Sequence, residues 1–499
     1  MIPVQEIETE RYFPAPWQEE DLSYLITRNY SANWSEMGCY KTTTALWMVE
    51  RSIEARGLEN ANVLIVTTKS GKGTYFDAIP KSFSDYDSRW RVFNANTKEI
   101  DLVQYQFHFK LDLDPVVEKL INPNRRQIIV AHYHVFTNKS AVKDILKKIK
   151  WDFIILDEAH RIKDKTTQWT RNLKQLEGEY RSVMTGTGFI NNPAEIWSLL
   201  NFLDRRTFGS YWRFRRHFCL EENWSGFNKI VGINPATKDE FRELRTSLGP
   251  RRMMLEVHEN INEPIFTPYE VELNPTQRKM YNEILKELRT LDKNNVPIHS
   301  PNVLSQLNRL RQITVATPEL IETYYDEKQD RRVQVVKLTE PSSKLDTMME
   351  IIEGLEWDDE NKQQVVVFSN FKDPIELAKV RLDKANIPFI HMKQSDNDQI
   401  RYEKWHDIFP RKEHQVFLST LQLGSESINL SSAHYAIFLD RSWSPKDNNQ
   451  GVARLYRPGQ TGTANIIHIN ANRTTDKRIK DLNDLKTGWF EEIFGDEEA

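Results

Sequence analysis

Two doubly wound α/β lobes with helical segments between them are the architecture this sequence predicts, and the prediction rests on strand texture and on a change of texture midway. Short apolar runs rich in β-branched residues recur between helical patterns at VLIVTT (63–68), QIIVAHY (127–133), DFIILDE (152–158) and RSVMTGT (181–187). A second set follows at QQVVVFSN (363–370), QVFLST (415–420), YAIFLD (435–440) and NIIHI (465–469). Continuous apolar strands alternating with helices mark parallel sheets buried on both faces, and two sets imply two lobes. From about 200 to 340 helical periodicity and charge dominate, as in PTQRKMYNEILKELRTL (275–291). The stretch EKQDRRVQVVKLTEPSSK (327–344) reads as a linker or an exposed hairpin, and the acidic tail FGDEEA as frayed.

Composition narrows the class. With 499 residues the chain is long enough for two to four domains, and 39% hydrophobic with 28% charged residues is ordinary globular usage. No apolar run reaches the roughly 18 residues of a membrane span, and no signal-peptide pattern opens the chain. The two cysteines, Cys39 and Cys219, lie far apart without metal-ligand spacing. A reducing, cytoplasmic setting without zinc module or disulfide framework is the expectation. A net charge of −4 gives no electrostatic vote for nucleic acid. Locally, RRTFGSYWRFRRHF (205–218) interleaves Arg205, Arg206, Arg213, Arg215 and Arg216 with Phe208, Tyr211, Trp212 and Phe214. Arginines for phosphate and aromatic faces for stacking suit DNA or RNA, while an amphipathic helix with a solvated basic face makes the same pattern.

Three stretches have the residue types of nucleotide chemistry. WSEMGCYKTTTAL (34–46) is a strand-to-helix turn whose backbone N–H groups and helix end suit a polyphosphate. There Gly38, Cys39 and Tyr40 line the turn, Lys41 reaches the phosphates, and Thr42, followed by Thr43, offers a hydroxyl to Mg2+. FIILDEAH (153–160) ends an apolar strand in Asp157, suited to hydrated Mg2+, and Glu158, suited to polarising water. QGVARLYRPGQ (450–460) places Arg454 and Arg457 three apart, on one face of a helix, where they can stabilise γ-phosphoryl charge.

Taken in order, Lys41, Asp157-Glu158-Ala159-His160, MTGTGFINNPAEIWSLLNFL (184–203), STLQLGSESINLSSA (419–433), DRSWSP and QGVARLYRPGQ resemble the Swi/Snf type of superfamily 2 helicase. The resemblance runs from about Phe13 to Thr475. It implies two RecA-like lobes with inserted helical protrusions: lobe 1 over 1–204, a protrusion over 205–265, a helical segment and linker over 266–341, and lobe 2 over 342–499. It implies ATP and Mg2+ as cofactors, bound by Gln18 at adenine, by the turn, and by Gln450. Metal falls to Thr42 and Asp157, catalysis to Lys41, Asp157, Glu158, Arg454 and Arg457. Coupling falls to His160, Thr185, Gly186, Thr187 and Asp440, and DNA contact to Thr68, Lys69, His132, Tyr133, Ser369, Asn370, Thr420, Gln422 and Trp443.

The chain departs from the family pattern D-E-M-G-L-G-K-T at Ser35 and Tyr40, and from Gly-Gly-x-Gly at Ser425 and Ser427, where Glu426 would repel phosphate. Tyr40 is expected at negative φ with its ring turned from the phosphates, since every residue but proline supplies the backbone N–H needed there. The implied function is ATP-dependent translocation or unwinding on duplex or branched DNA by a monomer, resembling compact phage helicases that migrate branches. A motor that displaces proteins or drives a restriction complex, and a non-catalytic DNA-binding scaffold, are the alternatives.

Overall fold

In a computed structural model, the described residues are 11–495 apart from 85, 105–106, 112–124, 225–226, 288, 293, 295, 300–302, 327–330, 359–361 and 425–427. The chain divides into two units, one comprising residues up to Val257 together with those from Lys486 onward, the other His258–Leu485.

The first unit is built on eight strands: β1 (Tyr30–Asn33), β2 (Asn62–Thr67), β3 (Trp90–Ala95), β4 (Ile100–Gln104), β5 (Phe107–Leu111), β6 (Arg126–His132), β7 (Trp151–Asp157) and β8 (Gly178–Met184). They lie in the order β1-β8-β7-β2-β6-β3-β4-β5, parallel from β1 to β3 and antiparallel beyond. Alternate residues feed different cores. Leu64, Val66, Ile129, Ala131, Ile154 and Leu156 enter one cluster, while Val63, Ile65, Ile128, Val130, Phe153 and Ile155 enter another. That double burial is why these strands read as unbroken apolar runs. After the sheet, the expected helical protrusion has helices Tyr211–Phe218 and Lys238–Leu248, but also a hairpin of β9 (Cys219–Trp224) and β10 (Phe227–Ile233).

The second unit repeats the logic. β11 (Ile265–Val271) leads into two hairpins, β12 (Arg289–Leu291) with β13 (Pro297–His299) and β14 (Thr317–Asp326) with β15 (Arg331–Thr339). Of the two readings of 327–344, the hairpin is the one formed, and helix Ser343–Glu353 follows it. β16 (Val365–Ser369), β17 (Phe389–His391), β18 (Val416–Thr420), β19 (Tyr435–Phe438) and β20 (Asn465–Ala471) complete an all-parallel sheet ordered β11-β20-β19-β16-β18-β17. Val365, Val367 and Ile437 face one core and Val366, Phe368 and Phe438 the other. β11 corrects the expected linker: exposed but for Val271 and interrupted by Pro268, it nonetheless forms the edge strand beside β20.

A second correction concerns the C-terminus, expected wholly within lobe 2. Helix Thr475–Phe494 begins in the second unit, and its residues from Lys486 onward belong to the first. Phe494 is fully buried there, with Trp34 at 5.3 Å, Phe189 at 6.0 Å and Phe490 stacked at 4.4 Å between ring centroids. A Cβ on Gly188 would come within 2.3 Å of the Phe494 ring, so the glycine is there for space. Phe494→Ala is expected to destabilise the first unit by about 3–5 kcal/mol, the usual cost of removing a buried phenyl ring. Urea denaturation of the full chain measures it.

Candidate ATP site and its coupling network

The site in the first unit follows from strand register. Parallel pairing sets Thr67 beside His132, Asp157 beside Met184 and Asn33 beside Met184, so five strands end together along one edge. Carboxyl ends of parallel strands are where α/β sheets bind ligands, since loops leaving neighbouring strands converge there.

The turn after β1 lies along a segment more than 200 residues away. Trp34 N–H donates to Pro250 O at 2.9 Å and Glu36 N–H to Arg252 O at 2.9 Å. Arg252 N–H donates to Ser35 Oγ at 3.0 Å, Met254 N–H to Glu36 Oε2 at 2.9 Å, and the Cys39 thiol to Arg252 O at 3.4 Å. The Arg252 side chain is anchored by Asp21 at 2.7 Å. Ser35, unusual for the family pattern, is fully buried as part of this clamp. Gly249 lies against β1 so closely that a Cβ would meet Ala32 O at 1.7 Å.

Within the turn, Gly38 has φ 88° and Tyr40 has φ 45°, ψ 34°. The expectation of negative φ at Tyr40 is therefore overturned. Tyr40 is the residue before helix Lys41–Ala55, and its carbonyl accepts from Thr44 N–H at 3.1 Å and from the hydroxyls of Thr43 at 3.0 Å and Thr44 at 3.1 Å. Tyr40 thus holds a left-handed backbone that a glycine adopts freely and another residue holds at about 1–2 kcal/mol, whereas Ser342 makes the same carbonyl bond to its own helix from an extended backbone. The tyrosine itself is 49% exposed. Lys41 Nζ donates to Ser35 O at 2.8 Å and Glu36 O at 2.5 Å, so the ammonium curls over the turn. Gln18 is buried, accepting from Ala15 N–H at 3.0 Å and donating to Thr44 Oγ1 at 2.9 Å, which leaves one amide N–H and one lone pair.

At the end of β7, Asp157 accepts from Thr67 Oγ1 at 2.9 Å and from Glu158 N–H at 2.9 Å, and its carbonyl accepts from Tyr133 Oη at 2.5 Å. Burial first, and then the adjacent Glu158 charge, raise the Asp157 carboxyl above the ordinary aspartate range. Two crowded carboxyls, with the hydroxyl residue Thr42 half-buried in the first turn of the helix after the loop, are residue types a hard divalent cation takes, so the residues present fit Mg2+. Glu158, at φ 49°, is turned so that its Oε2 lies 3.2 Å from His160 Nδ1. The same nitrogen lies 3.3 Å from Thr185 Oγ1. Thr185 in turn donates to Thr187 O at 2.9 Å, receives Thr187 N–H at 3.1 Å, and sends its own N–H to Asn33 O at 3.0 Å. One continuous chain of polar contacts thus runs from the carboxylates to the Thr185-Gly186-Thr187 turn. Gly186 closes it because a Cβ there would come within 3.1 Å of Ser35 O.

Several assigned DNA contacts move. Tyr133 is buried with its hydroxyl spent on Asp157, so it supports the carboxylate strand instead of touching nucleic acid. His132 is buried too; burial first, then Lys72, His134 and Lys69, push it down to about 4 and keep it neutral. Ser369 is fully buried and donates to Asp440 Oδ1 at 2.7 Å. Among the rest, Lys69 and Gln422 are exposed, and Thr68, Asn370, Thr420 and Trp443 are half-buried. Ser425, Glu426 and Ser427 lie outside the described residues.

In the second unit, Asp440 is a hub. It accepts from Ser369, from Asn370 N–H at 3.0 Å and Nδ2 at 2.7 Å, and from Arg311 at 3.2 Å, and the Arg311 guanidinium lies 5.8 Å from the Trp443 ring centre. Gln450 is half-buried in helix Pro445–Val452. That helix stops before the two arginines, which corrects their placement on a helical face. Short-range bonds from Arg454 N–H to Gly451 O and from Leu455 N–H to Val452 O tighten the chain into a turn that Pro458 and Gly459, at φ 95°, prolong. Arg454 is buried, and Arg457 donates to Ile428 O at 2.7 Å. Arg252, Asn33, Thr67 and Arg311 were invisible as site residues, because each acts through partners distant in sequence. The departures at Ser35 and Tyr40 were the local signals that the turn is unusual, and Ser35 lies in its backing.

A SNF2-related domain model matches residues 35–319, and a helicase conserved C-terminal domain model matches residues 343–459. The chain belongs to the SNF2-related family. An uncharacterised ATP-dependent helicase of Mycoplasma genitalium is 27% identical over 402 residues, covering 79% of this chain and 35% of that protein. Human chromodomain-helicase-DNA-binding protein 7 is 27% identical over 360 residues, covering 69% of this chain and 11% of its own. This SNF2-related chain therefore spans about a third or less of the relatives named here. The Sulfolobus solfataricus SWI2/SNF2 ATPase core, solved in complex with double-stranded DNA, aligns over 99% of this chain and 95% of its own at 22% identity and TM-score 0.41.

Two outcomes test the geometry. Tyr40→Gly is expected to raise stability by up to about 1 kcal/mol by releasing the left-handed strain, whereas Tyr40→Val lowers it; urea midpoints compare them. His132 is held neutral in the fold, while the unfolded chain takes up its proton below about pH 6.5. Its contribution is complete above that pH and is lost as pH falls toward 4, by up to about 3 kcal/mol. His132→Asn should therefore show a shallower loss of urea stability than the parent between those limits.

Proposed function

We propose that the chain is an ATP-driven motor on DNA, with branched or duplex DNA as its track. The observation that supports this reading best is the polar chain joining Asp157 and Glu158 through His160 to Thr185 and Thr187. A carboxylate pair wired to a second strand end can report the state of the site, which a scaffold has no use for. ATP, when bound, supplies the phosphoanhydride whose hydrolysis powers the cycle.

Lys41 leaves the carbonyls of Ser35 and Glu36 to contact phosphate, and the N–H groups of the turn, held rigid by the Arg252 clamp, present donors beside it. Thr42 and Asp157 would hold Mg2+. Glu158, oriented by His160, takes the proton of the attacking water. Arg454 and Arg457 stabilise charge on the transferring group. Lys69, Thr68, Asn370, Thr420 and Gln422 grip the sugar–phosphate backbone, which makes tracking independent of sequence. Branch migration and fork regression are the finer reading, with the chain acting as a monomer in a cytoplasmic setting.

Phosphate release with single-stranded, duplex and Holliday-junction DNA tests the proposal. Turnover is expected to need DNA and to fall more than about 100-fold in Lys41→Ala, the scale of losing a charge-stabilising group. Glu158→Gln should keep binding a fluorescent ATP analogue while losing turnover. Wild-type protein without DNA-stimulated turnover would leave only the scaffold reading, and activity confined to a protein-roadblock substrate would remove branch migration.

A further inference from the structure

The basic, aromatic stretch after the first sheet folds into something more specific than a solvated helix face. Lys174 Nζ lies 4.6 Å from the Trp197 ring centre and donates to Ser198 Oγ at 2.9 Å. Lys165 Nζ lies 3.2 Å above the Tyr211 ring, with Trp212 at 5.4 Å and Trp197 at 5.8 Å. The rings touch in sequence, Trp197 to Tyr211 at 5.4 Å and Tyr211 to Trp212 at 5.3 Å. Cations and rings therefore alternate across the patch, a spacing in which each ammonium is held over an aromatic face.

Charge there is unbalanced. Among the described residues, Lys165, Lys174, Arg205, Arg206, Arg213 and Arg216 have no carboxylate partner within 4.0 Å. The acids nearby do not balance them: Glu221 pairs with Arg215 at 2.6 Å, while Asp204, bonded by Arg206 N–H at 2.8 Å and by both donors of Thr207, and Asp164, bonded by both donors of Thr166, act only at longer range on Arg206 and Lys165. Burial, followed by Arg205 and Lys165, pushes Lys174 down to about 7. Cations crowded this way are relieved by an incoming anion. At the rim stands Trp212, 62% exposed although indole is among the most costly side chains to leave in water.

We propose that this patch binds an unpaired strand of DNA, with a base stacked on Trp212 and the flanking phosphates on Arg205, Arg206, Arg213 and Arg216. The choice of ligand follows from the alternation. A single strand offers a flat apolar base between successive phosphates, matching an exposed indole with guanidiniums nearby that have no carboxylate partner. A duplex shows phosphates but no free base face, and an acidic peptide gives the indole nothing to stack on. The inference rests on the reading of the chain as a DNA motor and deepens it: a strand displaced at a fork or branch would have a place to go on the first unit.

Fluorescence anisotropy of the full chain with labelled oligo(dT) of about 16 nucleotides, and separately with a blunt duplex, tests this. Trp212→Ala, a surface change that leaves the fold intact, is expected to weaken oligo(dT) binding about 10-fold and leave blunt-duplex binding within about twofold; Trp212→Tyr should restore most of the loss. Arg213→Gln with Arg216→Gln should lower the salt dependence of oligo(dT) affinity by about one to two counterions. Unchanged oligo(dT) affinity in Trp212→Ala overturns the proposal. So does polyglutamate competing for the patch with the same sensitivity to Trp212→Ala, which would assign the surface to an acidic protein. Both readouts are of binding, so they stand apart from any failure of DNA-stimulated turnover in the wild-type chain.

Discussion

Parallel pairing in register is the constraint on which the first unit depends. Because β1, β8, β7, β2 and β6 all run the same way, their last residues fall on one edge, and Asn33, Met184, Asp157, Thr67 and His132 become neighbours without any being adjacent in sequence. A slip of one residue in any pair would exchange its two buried faces, and both faces here are packed with large apolar side chains. The cores therefore lock the register, and the register assembles the site. The polar chain through His160 is a consequence of the same alignment, since Glu158 and Thr185 leave adjacent strands.

On that edge the phosphate-loop candidate is held from behind. The contacts of Ser35, Glu36 and Cys39 with residues 250–254 give the turn a second strand of support, which allows it to tolerate a left-handed tyrosine where a glycine is usual. Strain of about 1–2 kcal/mol is small against several such hydrogen bonds, each worth about 1 kcal/mol net. An atypical residue in the loop is thus accommodated by the turn that surrounds it. The strain lies in the left-handed backbone of Tyr40, and the clamp holds the turn around it.

The helix Thr475–Phe494 shows how local and distant information differ. Its apolar residues Ile479, Ile493 and Phe494 follow ordinary helical spacing, so the helix itself is legible. Which core each turn enters is decided by partners such as Trp34 and Phe189, roughly 300 to 460 positions away, and nothing in the helix names them. β11 is the converse: its residues are largely exposed and it becomes a strand only because β20 offers an unpaired edge.

By itself the sequence determined the two α/β lobes, the order of the motifs and the residue types of the candidate ATP site, because buried parallel strands and phosphate turns leave dense local patterns. Asp157, Glu158, His160 and Thr185, which the structure joins by polar contacts, were named from the sequence alone. Only the tertiary structure decided that Tyr40 is left-handed, that Tyr133, His132 and Ser369 face inward, and that Arg252 and Arg311 serve as supports. Those outcomes depend on which strands lie side by side and on what fills the space between them. Pairings across hundreds of residues are set by packing, and packing leaves no local trace.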